Sequence, residues 1–186
     1  MQPWQIVVAL AVILVAGGTL AWFFARRRRT QELSQQFGPE YRRAVEERGD
    51  RDAAERELAT RQKRVAEMEI RSLAAEQRDR YARDWRQVQA DFVDDPPGAI
   101  GAADRLVAEV MGERGYPMGD FEQRAADVSV NHPTVVADYR AAHAIAGRQA
   151  NGDEVSTEEL RQAMVHYRSL FDDLLETQPM EEAAHA

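Results

Sequence analysis

Between Ile6 and Ala25 the chain runs for twenty residues without a charge. A helix rises about 1.5 Å per residue, so this run would cover roughly 30 Å, the thickness of a bilayer's hydrocarbon core. Trp4 stands at one end and Trp22, Phe23 and Phe24 at the other, the depths at which aromatic rings settle among headgroups. Four arginines, Arg26, Arg27, Arg28 and Arg29, follow at once, with Arg42 and Arg43 soon after. Basic residues collect on the cytoplasmic flank of a membrane helix. The pattern therefore predicts a single-pass anchor over residues 1–29 in a bacterial plasma membrane, N-terminus outside and the rest cytoplasmic. A cleaved secretory leader would need basic residues ahead of the apolar run and small residues after it. Here the arginines come after, and Trp22-Phe23-Phe24 stands where small residues would be needed.

Past the arginines the pattern turns polar and helical, and residues 30–71 read as a charged stalk. Phe37-Gly38-Pro39 interrupts it, because glycine suits a helix end and proline the first turn of the next helix. Gly49-Asp50 reads as a second break, with aspartate capping a helix from Arg51 to Glu69. That helix carries a narrow apolar stripe of Ala54, Leu58, Val65 and Met68, into which Arg61 intrudes. The spacing is that of a coiled coil, though over only two or three heptads. It predicts a spacer helix that partly packs on the domain behind it, with a homodimer through the stalk as the functional alternative.

Residues 72–177 carry five amphipathic patterns. The strongest sets Tyr81, Trp85, Val88 and Phe92 at steps of four, three and four between Leu73 and Val93. Asp94-Asp95-Pro96-Pro97-Gly98 stops it. A second helix, to about Arg114, turns Leu106, Val107, Val110 and Met111 inward. The Gly115–Gly119 loop and a cap at Asp120 precede a short third helix with Phe121, Ala125 and Val128 on its inner face. The fourth, from about Pro133, aligns Val136, Tyr139 and His143. Ser156, with Glu159 three residues on, forms a capping box for the fifth, which lines up Leu160, Met164, Tyr167, Phe171 and Leu174. No alternating strand pattern occurs. The expected fold is all-α: a transmembrane helix, a charged helical stalk and a small helical-bundle domain, with residues 178–186 as a frayed tail.

Charge narrows the partners. Every ionisable side chain lies after Ala25, and the net charge is −8. Setting the four clustered arginines aside leaves 20 basic against 32 acidic residues, a balance of −12. A surface this acidic repels phosphate backbones, so nucleic acid is not an expected partner. Without cysteine there are no disulfides, thiolate ligands or cysteine nucleophiles. Lys63 is the one lysine, and abundant arginine and alanine point to a high-GC bacterial genome.

Catalytic signatures are missing from the pattern. None of the four histidines has the spacing of a zinc hydrolase or a second-helix Glu-x-x-His partner, and no metal or cofactor is expected. Phosphate-loop, dinucleotide and nucleophile-elbow motifs are absent, so the chain is not read as an enzyme. The loop Arg114-Gly115-Tyr116-Pro117-Met118-Gly119-Asp120-Phe121 spends aromatic and sulfur side chains beyond what solubility needs, and such residues near arginine favour partner contact. Expected partner-binding residues are Arg114, Tyr116, Pro117, Met118, Phe121 and Arg124, with His132, Tyr139 and Arg140 nearby. The bland alternative is that Tyr116 and Phe121 fold back and plug the end of the domain.

The segments FGPEYRRAVEERGDRDAAERELATRQKRV, RGYPMGDFEQRAADVSVNHP and ELRQAMVHYRSLFDDLL resemble a group of actinobacterial single-pass membrane proteins. The resemblance covers nearly everything from Phe37 to Leu175 and implies the same architecture and source. It brings no activity, cofactor or site residue with it. The functional expectation is thus a membrane-tethered cytoplasmic interaction or adaptor protein, with the lipid bilayer and an unidentified protein as partners. The alternative is a small-molecule sensor or enzyme whose pocket is lined by Tyr81, Trp85, Tyr139, His143 and Tyr167.

Overall fold

The computed structural model describes the backbone of residues 3–176 and the side chains of residues 16–176. Among the described residues the chain forms eight helices and no strand: α1 (Pro3–Phe37), α2 (Pro39–Arg48), α3 (Arg51–Ala66), α4 (Ala75–Asp91), α5 (Pro96–Glu113), α6 (Phe121–Asn131), α7 (Val136–Ala150) and α8 (Thr157–Glu176). Among the described residues, no helix is long and apolar enough to cross a membrane. The expected anchor falls largely outside that set, since Trp4 and Ile6 to Val15 lie beyond the described side chains.

The breaks follow local chemistry. Pro39 opens α2 directly after Gly38, and Gly49, left-handed at φ 67°, closes it by donating its N–H to the Val45 carbonyl at 2.9 Å. The Asp50 carboxylate accepts from the Ala53 N–H at 2.9 Å and caps α3. Asp95 and Asp120 cap α5 and α6 in the same way, accepting from Gly98 and Gln123. Before α8 the reciprocal pair closes: Glu159 N–H donates to the Ser156 hydroxyl and Ser156 N–H to the Glu159 carboxylate.

The central body is α4, α5, α7 and α8, with α8 packed along both α5 and α7 and α4 laid against α5. Its core joins Tyr81, Trp85 and Val88 of α4 to Ile100, Val107 and Met111 of α5, Tyr139 of α7 and Tyr167, Phe171 and Leu174 of α8. Trp85 stacks on Phe171 with ring centroids 4.6 Å apart. Sequence periodicity placed these faces correctly because a large apolar side chain gains about 1.5–3 kcal/mol from burial wherever its helix can reach a partner.

The charged segment after α1's arginines does not run out as an extended spacer. It doubles back as the end of α1, α2 and α3, which enclose a second cluster of Leu33, Phe37, Tyr41, Ala44, Ala54, Leu58 and Val65, joined by Val130 of α6. The stripe that could have zipped two copies together is therefore consumed inside one chain. This proximal tier rests on α6 and on α7 of the body.

Helix α3 ends three residues earlier than its composition allows, and residues 67–74 form a non-helical connector. Long-range contacts hold it: Arg71 N–H donates to the Arg114 carbonyl at 2.9 Å and Arg71 Nε to the Glu113 carbonyl at 3.0 Å. Gly115 is required where it stands. Its φ is 96°, and a Cβ there would lie 2.5 Å from the Glu69 carbonyl oxygen.

Candidate functional site

Of the nine expected contact residues, four are buried. The Arg114 guanidinium is enclosed and donates from Nη1 to the Leu174 carbonyl at 2.7 Å, and from Nε to the Arg71 carbonyl at 3.3 Å. It clamps α5, α8 and the connector together, and burial holds its pKa below the usual arginine value. The Tyr116 ring turns inward, and its hydroxyl accepts from Asn131 Nδ2 at 3.1 Å. His132 is buried with Nδ1 on the Asp173 carboxylate, while its Nε2 has no hydrogen-bond partner. The Tyr139 hydroxyl accepts from Arg124 Nε at 3.0 Å beneath the half-buried Phe121, whose ring lies 4.9 Å from its own. A side chain already enclosed by its own fold cannot also be presented to a partner, so Arg114, Tyr116, His132 and Tyr139 are framework. Pro117 and Met118 are exposed, and Phe121, Arg124 and Arg140 half-buried.

Of the five residues expected to line an inter-helix pocket, Tyr81, Trp85, Tyr139 and Tyr167 are packed into the core. The fifth, His143, is half-buried at its edge. Its ring lies flat on Phe121 at 3.6 Å, and its Nδ1 is 3.2 Å from Asp104 Oδ1. The Tyr167 hydroxyl donates to the same oxygen at 2.8 Å. Burial raises the Asp104 pKa, but these hydrogen bonds outweigh it and hold the carboxyl below the usual range. The same environment pushes the Tyr167 phenol upward, through burial first and the Asp104 charge second. The third described histidine, His166, pairs with Asp138 at 3.0 Å. All three imidazoles therefore meet an aspartate through Nδ1, and in each case the pair joins two elements of the fold. Among the described residues no His, Asp and Glu side chains gather in the threes that a metal ion would need.

Two clefts are lined largely by charged side chains. The larger, about 510 Å³, opens between the proximal tier and the body and is lined by Arg43, Arg48, Arg61, Arg64 and Arg140 with Glu47, Glu57 and Glu122. Behind it sits Glu40, buried on α2 and ringed by three guanidinium groups: Arg140 at 3.5 Å, Arg61 at 3.7 Å and Arg43 at 3.8 Å. These distances exceed those of good charge-assisted hydrogen bonds. Arg43 Nη1, Arg61 Nη1 and Arg140 Nε consequently remain buried without a hydrogen-bond acceptor. Burial wins over the surrounding cations, and the Glu40 pKa is raised. Better made is the pair beside it, in which Arg64 donates from Nη2 at 2.6 Å and Nε at 2.8 Å to the buried Asp127. The cleft is thus an ionic seam between two tiers.

The second cleft, about 400 Å³, lies between α1 and α3 and is lined by Trp22, Ala25, Arg26, Arg29, Asp52, Glu55 and Arg56. The Arg26 guanidinium pairs with Asp52 and lies over the Trp22 ring, 5.2 Å from its centroid. Glu55 faces inward and accepts from the hydroxyls of Thr30 at 2.7 Å and Tyr41 at 2.9 Å. Both clefts join residues far apart in sequence, which hydrophobic periodicity does not reveal. One signal was visible for the first: Arg61, set in the apolar stripe of α3, marks the point where that helix meets Glu40 rather than another apolar face. No family model, curated protein or solved structure matches this chain.

Proposed function

We propose that the chain is a membrane-tethered interaction protein that holds an acidic helical body against the cytoplasmic face of a bacterial plasma membrane. The observation that carries this reading is the surface of α1. From Ala16 to Phe24 every residue is exposed, with Leu20 58%, Trp22 61%, Phe23 55% and Phe24 59% accessible. A contiguous apolar surface of this kind needs a covering, and no part of the described fold supplies one. Lipid suits it, since the surface continues the charge-free run from Ile6 and ends at four arginines, where a cytoplasmic interface belongs.

Tethering confines the body to a thin layer and raises its effective concentration for partners on the same membrane. The accessible remainder of the expected contact face is Pro117, Met118, Phe121, Arg124 and Arg140, at the start of α6 and the adjoining face of α7. Met118, half exposed on its loop, is the natural anchor. The full chain carrying a photo-crosslinking residue at Met118 should capture a discrete partner from intact membranes, and Met118→Ala with Pro117→Ala, both exposed, should weaken recovery of that partner without altering the melting curve. Unchanged recovery from a folded variant would remove this face from the proposal. No observation favours the sensor or enzyme alternative, because four of its five pocket residues are core.

A further inference from the structure

The cleft between α1 and α3 has a composition that the fold does not need. We propose that it binds the headgroup of an anionic phospholipid in the leaflet that faces the helical body. The inference rests on the tethered reading above and specifies what the tether touches.

Position comes first. Trp22 and Ala25 form the upper wall, at the end of the exposed apolar surface of α1, while Arg26 and Arg29 lie one turn further along the same helix. In a bilayer-inserted α1 this is headgroup depth. The opposite wall is Asp52, Glu55 and Arg56 from the first turns of α3. It exists only because the proximal tier folds back beside α1.

Charge comes next. The chain as a whole is acidic, at −8, yet Arg26, Arg29 and Arg56 meet only two carboxylates here. Both carboxylates are engaged within the protein: Asp52 by Arg26, and Glu55 by the Thr30 and Tyr41 hydroxyls. Arg29 has no ion pair among the described residues, and Arg56 reaches Asp50 only at 4.0 Å. Two guanidinium groups from opposite walls are thus available to phosphate oxygens, which their planar forks suit. A flat basic patch would attract any anionic surface. A recess of about 400 Å³ with Trp22 and Ala25 beside the cations also accommodates the glycerol and first acyl carbons below the phosphate.

The full chain would be reconstituted into mixed nanodiscs of phosphatidylcholine and phosphatidylglycerol, extracted in mild detergent, and its retained lipids counted by native mass spectrometry. The wild-type chain is expected to retain phosphatidylglycerol in clear preference. Arg29→Gln with Arg56→Gln should reduce that preference by about fivefold per arginine. Both side chains are exposed, so folding should be unaffected. Arg27→Gln with Arg28→Gln, outside the cleft, should cost much less. Equal retention of the two lipids, or equal loss from both double variants, would each overturn the site while leaving the tether intact. Failure of the wild-type chain to enter nanodiscs would remove the tether, and this site with it.

Discussion

The distal body and the proximal tier are made of similar amphipathic helices, but they are held by different forces. In the body, aromatic and aliphatic side chains from four helices merge into one continuous core, in which Arg114 is tied to backbone and Tyr167 to Asp104. The tier has a much smaller apolar cluster, and much of its junction with α6 and α7 consists of charges: Arg64 with Asp127 at 2.6 Å, Arg140 with Glu40 at 3.5 Å and Arg43 with Glu122 at 3.8 Å. Apolar burial is indifferent to salt at ordinary concentrations, whereas partly exposed ion pairs are screened within about 8–10 Å. The two regions should therefore separate by condition: heat and denaturant report the body, while salt and pH report the seam. If the proposed tether holds, the tier nearest the membrane is joined to the outer body by ions, and the softest joint lies between them.

The comparison can be broken most forcefully in the body. Trp85→Ala removes the ring stacked on Phe171 and should lower unfolding free energy by about 3–5 kcal/mol, independent of salt, in urea titrations of the full chain in detergent. A loss below about 1 kcal/mol would mean that this core is not the main source of stability. Arg64→Ala leaves the buried Asp127 with only Gln123 as a side-chain donor and should cost about 1–3 kcal/mol. This loss should shrink as salt rises, because Arg64 is partly exposed; a salt-independent loss would contradict the ionic seam.

pH sharpens the contrast further, with opposite signs in the two regions. Asp104 in the body has a folded pKa below its unfolded value, despite burial, because of the hydrogen bonds from His143 and Tyr167. It stabilises the fold above the usual carboxylate pKa of about 4, and that stability is lost as pH falls through the depressed folded value. Asp104→Asn should flatten this acid limb. Glu40 in the seam behaves in reverse: burial raises its folded pKa, so the protonated form favours the fold at low pH, and that contribution is lost as pH rises through the folded value. Glu40→Gln should therefore hold or slightly raise stability at neutral pH. A marked loss would mean that the three arginines do compensate the carboxylate. The smallest effect belongs to the cap of α8, where Ser156→Ala should cost about 1 kcal/mol in the same titration.

Much of this was legible in the sequence. Steps of three and four placed the inner faces of all five distal helices, and glycine, proline and aspartate marked their ends within a few residues. What could not be read was what each charged residue meets. Arg114 looks like a surface residue in a loop rich in glycine, yet its guanidinium meets the backbone carbonyls of Leu174 on α8 and Arg71 in the connector, which makes it framework. The fold of the stalk was hidden for a related reason: its apolar stripe is as narrow as that of a dimeric coiled coil, and nothing local says whether the matching stripe belongs to another chain or to Leu33 and Phe37. Membrane insertion stands apart, since the apolar run is explicit in sequence while its first half lies outside the described side chains.

The most direct test is the protection of a C-terminal epitope from protease. In spheroplasts the epitope should survive, and in inverted inner-membrane vesicles it should be cleaved while the chain stays with the membrane through alkaline extraction. Cleavage in intact spheroplasts, or recovery of the whole chain in the soluble fraction, would contradict a cytoplasmic body held by α1.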